Sequence, residues 1–172
     1  MALNFKYILL FTFLLFFLKG KTQNLSTGLQ FYMASGQSSD LGLNISYAKY
    51  LKKNGIALGM EIRSIDWGNH WGLILAYDRE YFRKDAIKMG GLSGFHPGLA
   101  LFQQKQLGSY GISQAFYVQW QSKKKSLLRL DIGLRYNVSP AYKVYGNYQQ
   151  FEFPISLNWG LNFAALEKEI QP

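Results

Sequence analysis

Phe151-Glu-Phe-Pro-Ile-Ser-Leu-Asn-Trp-Gly-Leu-Asn-Phe163 alternates without a miss. Phe151, Phe153, Ile155, Leu157, Trp159, Leu161 and Phe163 take one parity, and only Glu, Pro, Ser, Asn, Gly and Asn take the other. A period of two sends neighbouring side chains to opposite faces of a sheet. The stretch is also longer than the roughly 9–11 residues that a tilted strand needs to cross a bilayer. It therefore reads as a membrane-spanning β-strand with one face for lipid and one for a polar interior.

A chain built of such strands has to be exported, and the N-terminus reads accordingly. Lys6 precedes the apolar run Tyr7-Ile-Leu-Leu-Phe-Thr-Phe-Leu-Leu-Phe-Phe-Leu18, followed by Lys19-Gly-Lys-Thr-Gln23. The run is shorter than the roughly 20 residues of a transmembrane helix, and Gly20 and Thr22 are small enough for cleavage before Gln23. Residues 1–22 are thus expected to be a cleaved signal peptide, 23–163 a single outer-membrane barrel and 164–172 a short periplasmic tail. About 150 residues suffice for eight strands with short connections. With Lys6, Lys19 and Lys21 gone, the formal charge of +9 falls to +6. No basic stripe interleaved with stacking aromatics marks a nucleic-acid surface. Anionic headgroups of outer-membrane lipid or lipopolysaccharide are the expected counter-charge. The absence of cysteine excludes a disulfide scaffold.

The same alternation recurs between turn signals along the rest of the chain. Strands are predicted at 25–34 and 41–51, then at 56–63 after Lys52-Lys-Asn-Gly55, whose Asn-Gly pair is a strong hairpin signal. Trp67-Gly-Asn-His70 reads as the next turn, with Trp71, Leu73, Leu75, Tyr77 and Tyr81 outward on the fourth strand. Residues 110–121 and 127–138 form a hairpin around Ser122-Lys-Lys-Lys125. The fifth strand is predicted at 85–93, because outer-membrane barrels keep one set of turns short and the other loops long. That choice makes 94–108 an external loop, with 139–149 as another.

A soluble barrel would hide its apolar face and offer water a face rich in Lys and Glu. Here the second face is mostly Gly, Ala, Ser and Asn, which suits the cramped lumen of a small closed barrel. The expected fold is an all-β, eight-stranded, antiparallel up-and-down transmembrane barrel with a filled polar lumen. Trp67, Trp71, Tyr81, Trp120, Tyr136, Trp159 and Phe163 fall where aromatic girdles stand. Glu61, Arg63, Asp78, Glu80, Arg129, Asp131, Arg135 and Glu152 carry charge on the small face. Buried charges are tolerated when paired, so these should form a luminal ion-pair network, with Glu152 on Arg129 or Arg135.

Catalytic and metal chemistry find little support. His70 falls in the predicted turn and His96 in Gly94-Phe-His-Pro97, a predicted loop. No Gly-x-Ser-x-Gly elbow is present. Ser93, His96 and Asp85 compose a motif-free trio, and two separated histidines without cysteine are no ligand set. The expectation is no catalytic residue, no cofactor and no metal.

The signal segment, the repeated alternation and the aromatic-ended closing strand resemble the small eight-stranded outer-membrane barrels of the OmpA/OmpX type. A fainter resemblance, to TraO-type conjugation barrels of Bacteroidota, lies in Tyr47-Ala-Lys-Tyr-Leu-Lys-Lys53. The first resemblance implies that Trp159, Leu161 and Phe163 form the signal read by the barrel-assembly machinery. The filled lumen, and external loops that carry Tyr, Phe and Gln suited to contact, give the functional expectation, a structural or accessory barrel that partners a larger outer-membrane complex. Phe95, Leu99, Phe102, Tyr142, Tyr145 and Tyr148 are the loop residues expected to make that contact. A small pore and a lipid A-modifying enzyme are the alternatives.

Overall fold

The structure, a computed structural model, describes residues 23–34, 40–65, 68–102, 105–122, 126–140 and 149–162. Eight strands follow in chain order: β1 (Gln23–Ala34), β2 (Asp40–Leu51), β3 (Asn54–Ile65), β4 (Gly68–Lys84), β5 (Ile87–Phe102), β6 (Lys105–Gln121), β7 (Ser126–Val138) and β8 (Gln149–Asn162). Each pairs antiparallel with its sequence neighbours. β1 then closes on β8 from Asn24↔Asn162 to Ala34↔Glu152, so the sheet is a closed barrel. Closure matters because an open edge would leave backbone N–H and C=O groups without partners wherever water is excluded.

The distribution of side chains inverts that of a soluble barrel. Leu43, Ile56, Ile112, Phe116, Leu157 and Trp159 stand exposed on the outside, while Glu61, Arg63, Asp78, Arg135 and Glu152 are buried inside. An exposed apolar face continuous around a sheet is stable only against another apolar phase. Trp71, Tyr81, Trp120 and Trp159 stand exposed on this face. Segments 1–22 and 164–172, with Trp67, Tyr142, Tyr145, Tyr148 and Phe163, lie outside the described residues.

β5 departs from the sequence reading. It does not stop at Ser93 but runs through Gly94, Phe95, Pro97 and Leu99 to Phe102, paired with β6 from Ile87↔Trp120 to Phe102↔Lys105. Phe95 and Leu99 are therefore exposed side chains of a strand, Phe102 is its last residue, and positions 94–102 and 105–108 of the predicted external loop are strand residues. The glycines that resemble breakers answer a packing need. A Cβ at Gly90 would lie 2.5 Å from Tyr117 Cζ, and one at Gly98 would lie 2.9 Å from His70 Nε2. Gly at these positions admits large neighbours into a narrow lumen. Pro97 costs only local pairing with β4, which lapses between Gly72↔Gly98 and Leu75↔Phe95 and resumes in the same register.

The first tight turn is also displaced. β2 and β3 are joined through Lys52 and Lys53, with Lys52 at φ 57°, while Asn54 and Gly55 already belong to β3. Asn54 instead accepts a 2.7 Å hydrogen bond from Tyr77 Oη, and Gly55 makes room for the Tyr50 ring, 2.6 Å from where its Cβ would be. β4 likewise begins at Gly68, inside the predicted turn, so Asn69 and His70 are strand residues. A bulge at Tyr81 interrupts the β4–β5 register between Glu80↔Gly90 and Phe82↔Met89.

Candidate functional site in the barrel lumen

Alternation on β3, β4, β7 and β8 turns the charged residues inward, and barrel closure brings distant strands within reach of one another. Two networks result. In the half toward the β3–β4 and β7–β8 connections, Arg63 on β3 donates from Nη1 to Glu152 Oε1 on β8 at 2.7 Å. Arg135 on β7 holds Glu61 on β3, with Nη1 2.6 Å from Oε1 and 2.9 Å from Oε2. Tyr32 Oη lies 3.0 Å from Glu61 Oε2 and 2.6 Å from Gln30 Oε1. The Arg63 guanidinium stacks 4.7 Å above the Tyr32 ring. Arg135 Nε also donates to Asn137 Oδ1 at 2.8 Å.

The second network lies toward the 52–53 and 85–86 turns and is centred on Asp78, whose side chain is fully buried. Its carboxylate accepts from Tyr50 Oη at 2.7 Å, Tyr117 Oη at 2.8 Å and Arg129 Nη1 at 3.0 Å, tying β4 to β2, β6 and β7. Arg129 Nε donates to Asp131 Oδ1, which shares its carboxylate with Asn158 Nδ2 at 2.6 Å. Lys88 Nζ sits 3.7 Å above the Tyr50 ring and 3.8 Å from Glu80 Oε2. Arg83 closes the rim with two bonds to Glu80, at 2.6 and 3.0 Å.

All eight charged residues singled out in the sequence thus meet in the lumen, but one partner assignment is corrected. Glu152 faces Arg135 in the β7–β8 register, yet its carboxylate reaches across the barrel to Arg63. Arg135 is committed to Glu61. The Arg63 side chain is long enough to meet its carboxylate across the narrow lumen, and the bond then braces two non-adjacent strands.

Sequence reasoning missed Lys88, Tyr32, Tyr50 and Tyr117 as members, although Tyr117 breaks the parity of Phe116 and Val118 and so points inward. Nor did it place the histidines, which are buried strand residues and not turn or loop residues. His70 Nε2 lies 2.7 Å from Ser109 Oγ, and His96 Nε2 lies 2.7 Å from Ser113 Oγ. Their Nδ1 atoms stand 3.9 and 3.8 Å from the Glu61 carboxylate. Those separations exceed hydrogen-bond length, and Arg135 already engages the carboxylate, so Glu61 makes no hydrogen bond to either imidazole in this structure. The trio of Ser93, His96 and Asp85 is not assembled: Ser93 is exposed outside, His96 is buried inside and Asp85 sits in a turn. Among the described residues no group of three His, Cys, Asp or Glu side chains could hold a metal ion.

Between the two networks remains a cavity of about 110 Å³, touched by Tyr32, Glu61 and Arg135 on one side and Tyr50, Arg129 and Asp131 on the other. It has room for a few water molecules.

Two solved structures share the architecture. Neisserial surface protein A (NspA) aligns with a TM-score of 0.55 at 11% identity, covering 81% of this chain and 95% of that one. Ail, the attachment invasion locus protein of Yersinia pestis, aligns with a TM-score of 0.51 at 10% identity, covering 84% of this chain and 99% of that one. No protein-family model and no curated protein matches the sequence. At these identities the likeness is one of fold, that of a small outer-membrane β-barrel.

Proposed function

We propose that the chain is an integral outer-membrane barrel with a structural or accessory role, acting as the partner subunit of a larger outer-membrane complex and catalysing no reaction. The observation that carries this reading is the filling of the lumen. Struts from Arg63 to Glu152 and from Arg135 to Glu61 cross one half, and Asp78 gathers β2, β6 and β7 in the other. A barrel plugged by paired charges offers no wide aqueous path. With Phe95, Leu99 and Phe102 belonging to β5, the contact surface falls to Tyr142, Tyr145 and Tyr148 in the 139–148 connection. Outer-membrane lipid and lipopolysaccharide surround the barrel. Trp159 and Leu161, on the outer face of β8, supply the signal for the assembly machinery together with Phe163.

The test is affinity purification of the full chain from outer membranes solubilised in mild detergent, paired with planar-bilayer recording of the same preparation. The expected result is a stoichiometric companion protein and no steady single-channel conductance. Sustained conductance would replace the accessory reading with a pore. A lipid A acyl pattern that changes when the gene is removed would replace it with an enzyme.

A further inference from the structure

The outer face carries few hydrogen-bonding side chains within its apolar band, and most of those it has are satisfied locally. Thr27 Oγ1 donates to the Asn44 carbonyl at 2.9 Å, and Tyr77 Oη donates to Asn54. Gln114 on β6 differs. It follows Tyr110 and Ile112 and precedes Phe116, Val118 and Trp120 on one exposed stripe. At a rise of about 3.4 Å per residue and a tilt of about 40°, Tyr110 to Trp120 spans about 26 Å along the barrel axis, matching the roughly 25 Å band between aromatic girdles. Gln114 then lies about 10 Å from one girdle and about 16 Å from the other, deep in hydrocarbon.

Its cross-strand neighbour Ser93 on β5 donates a 2.7 Å hydrogen bond to Gln114 Oε1. That bond uses one end of the amide. Whichever way the amide is turned, the other end has no partner among the described residues. A second such group stands close by, because the bulge residue Tyr81 lays its hydroxyl over Gly91, 2.6 Å from where a Cβ would be. Gly91 is two residues from Ser93 on the same face of β5, and no partner for the Tyr81 hydroxyl is found among the described residues. An unpaired polar group facing acyl chains is costly, and such groups inside a membrane are met by partners.

We propose that this face, centred on Gln114 with Ser93 and Tyr81 beside it, is a self-association surface on which a second copy of the chain docks within the bilayer. The amide selects that occupant. A primary amide carries a donor and an acceptor in one plane, so a two-fold axis beside Gln114 lets each copy satisfy the other reciprocally. Acyl chains offer no acceptor at that depth. The proposal rests on the lipid-facing reading of the outer surface and not on the accessory role, so either can fail without the other.

The chain has no cysteine, so single thiols can be placed at will. Full-length Ile112→Cys, which keeps Gln114, and Leu43→Cys, on β2 across the barrel, are refolded into phosphatidylcholine vesicles and oxidised with copper phenanthroline. A disulfide-linked dimer is expected for Ile112→Cys and not for Leu43→Cys. Adding Gln114→Leu to Ile112→Cys should cut the yield roughly fivefold or more, on the scale of polar contacts between membrane segments. Heat-modifiable migration confirms that each variant is folded. Equal cross-linking at both positions, no loss with Gln114→Leu, or no dimer at any protein-to-lipid ratio would overturn the proposal.

Discussion

Asp78→Ala is expected to lower barrel stability by about 3–5 kcal/mol, the usual cost of removing one member of a buried ion pair. Tyr50, Tyr117 and Arg129 all converge on this carboxylate, and Lys88 lies 3.9 Å away. Its loss strands two hydroxyls and leaves Arg129 with Asp131 alone, in a space with little water to replace the missing acceptor. Asp78→Asn keeps an acceptor for the tyrosines while removing the charge, so it should lose less. Urea unfolding of the refolded barrel in detergent micelles, followed by heat-modifiable migration, measures both. A near-neutral Asp78→Ala would mean that the hub does not bear on stability.

The second large effect concerns Glu152. Glu152→Ala should also cost about 3–5 kcal/mol because it leaves Arg63 buried without its carboxylate, and Glu152→Gln should cost less. The more telling quantity is the coupling in a double-mutant cycle. Glu152→Gln with Arg63→Met should show an interaction of about 2 kcal/mol, within the range for directly bonded pairs. Glu152→Gln with Arg135→Met should show a clearly smaller one, although Arg135 is the register neighbour. The reverse order would restore the pairing suggested by sequence and disprove the cross-lumen strut.

These two networks also mark how far the sequence is legible. Alternation on 56–63, 71–81, 127–138 and 151–163 is enough to assign faces, because each strand is apolar on one side and small or charged on the other. It therefore places Glu61, Arg63, Asp78, Arg135 and Glu152 in the lumen. Partner choice is not legible, since it depends on which strands face each other across a closed barrel. The fifth strand is obscured for another reason. Gly90, Gly94, Pro97 and Gly98 carry the composition of a loop, but the glycines accommodate Tyr117, His96 and His70 on neighbouring positions of the lumen. Misreading that segment hid His96, and the turn expected at Trp67–His70 hid His70, which is already a residue of β4. The Asn54-Gly55 pair misled in a smaller way, since Gly55 serves the Tyr50 ring and Lys52 takes the left-handed turn position.

The apolar face of the barrel is expected to touch lipid while the charged face is enclosed. Spin labels on single cysteines at Phe153, Leu157, Leu43 and Ile132, all exposed outward, test it directly in refolded vesicles. All four should collide readily with oxygen, which concentrates in hydrocarbon, and poorly with a water-soluble nickel chelate. Labels that meet the nickel chelate more readily than oxygen would place this face in water and rule out a membrane-embedded barrel.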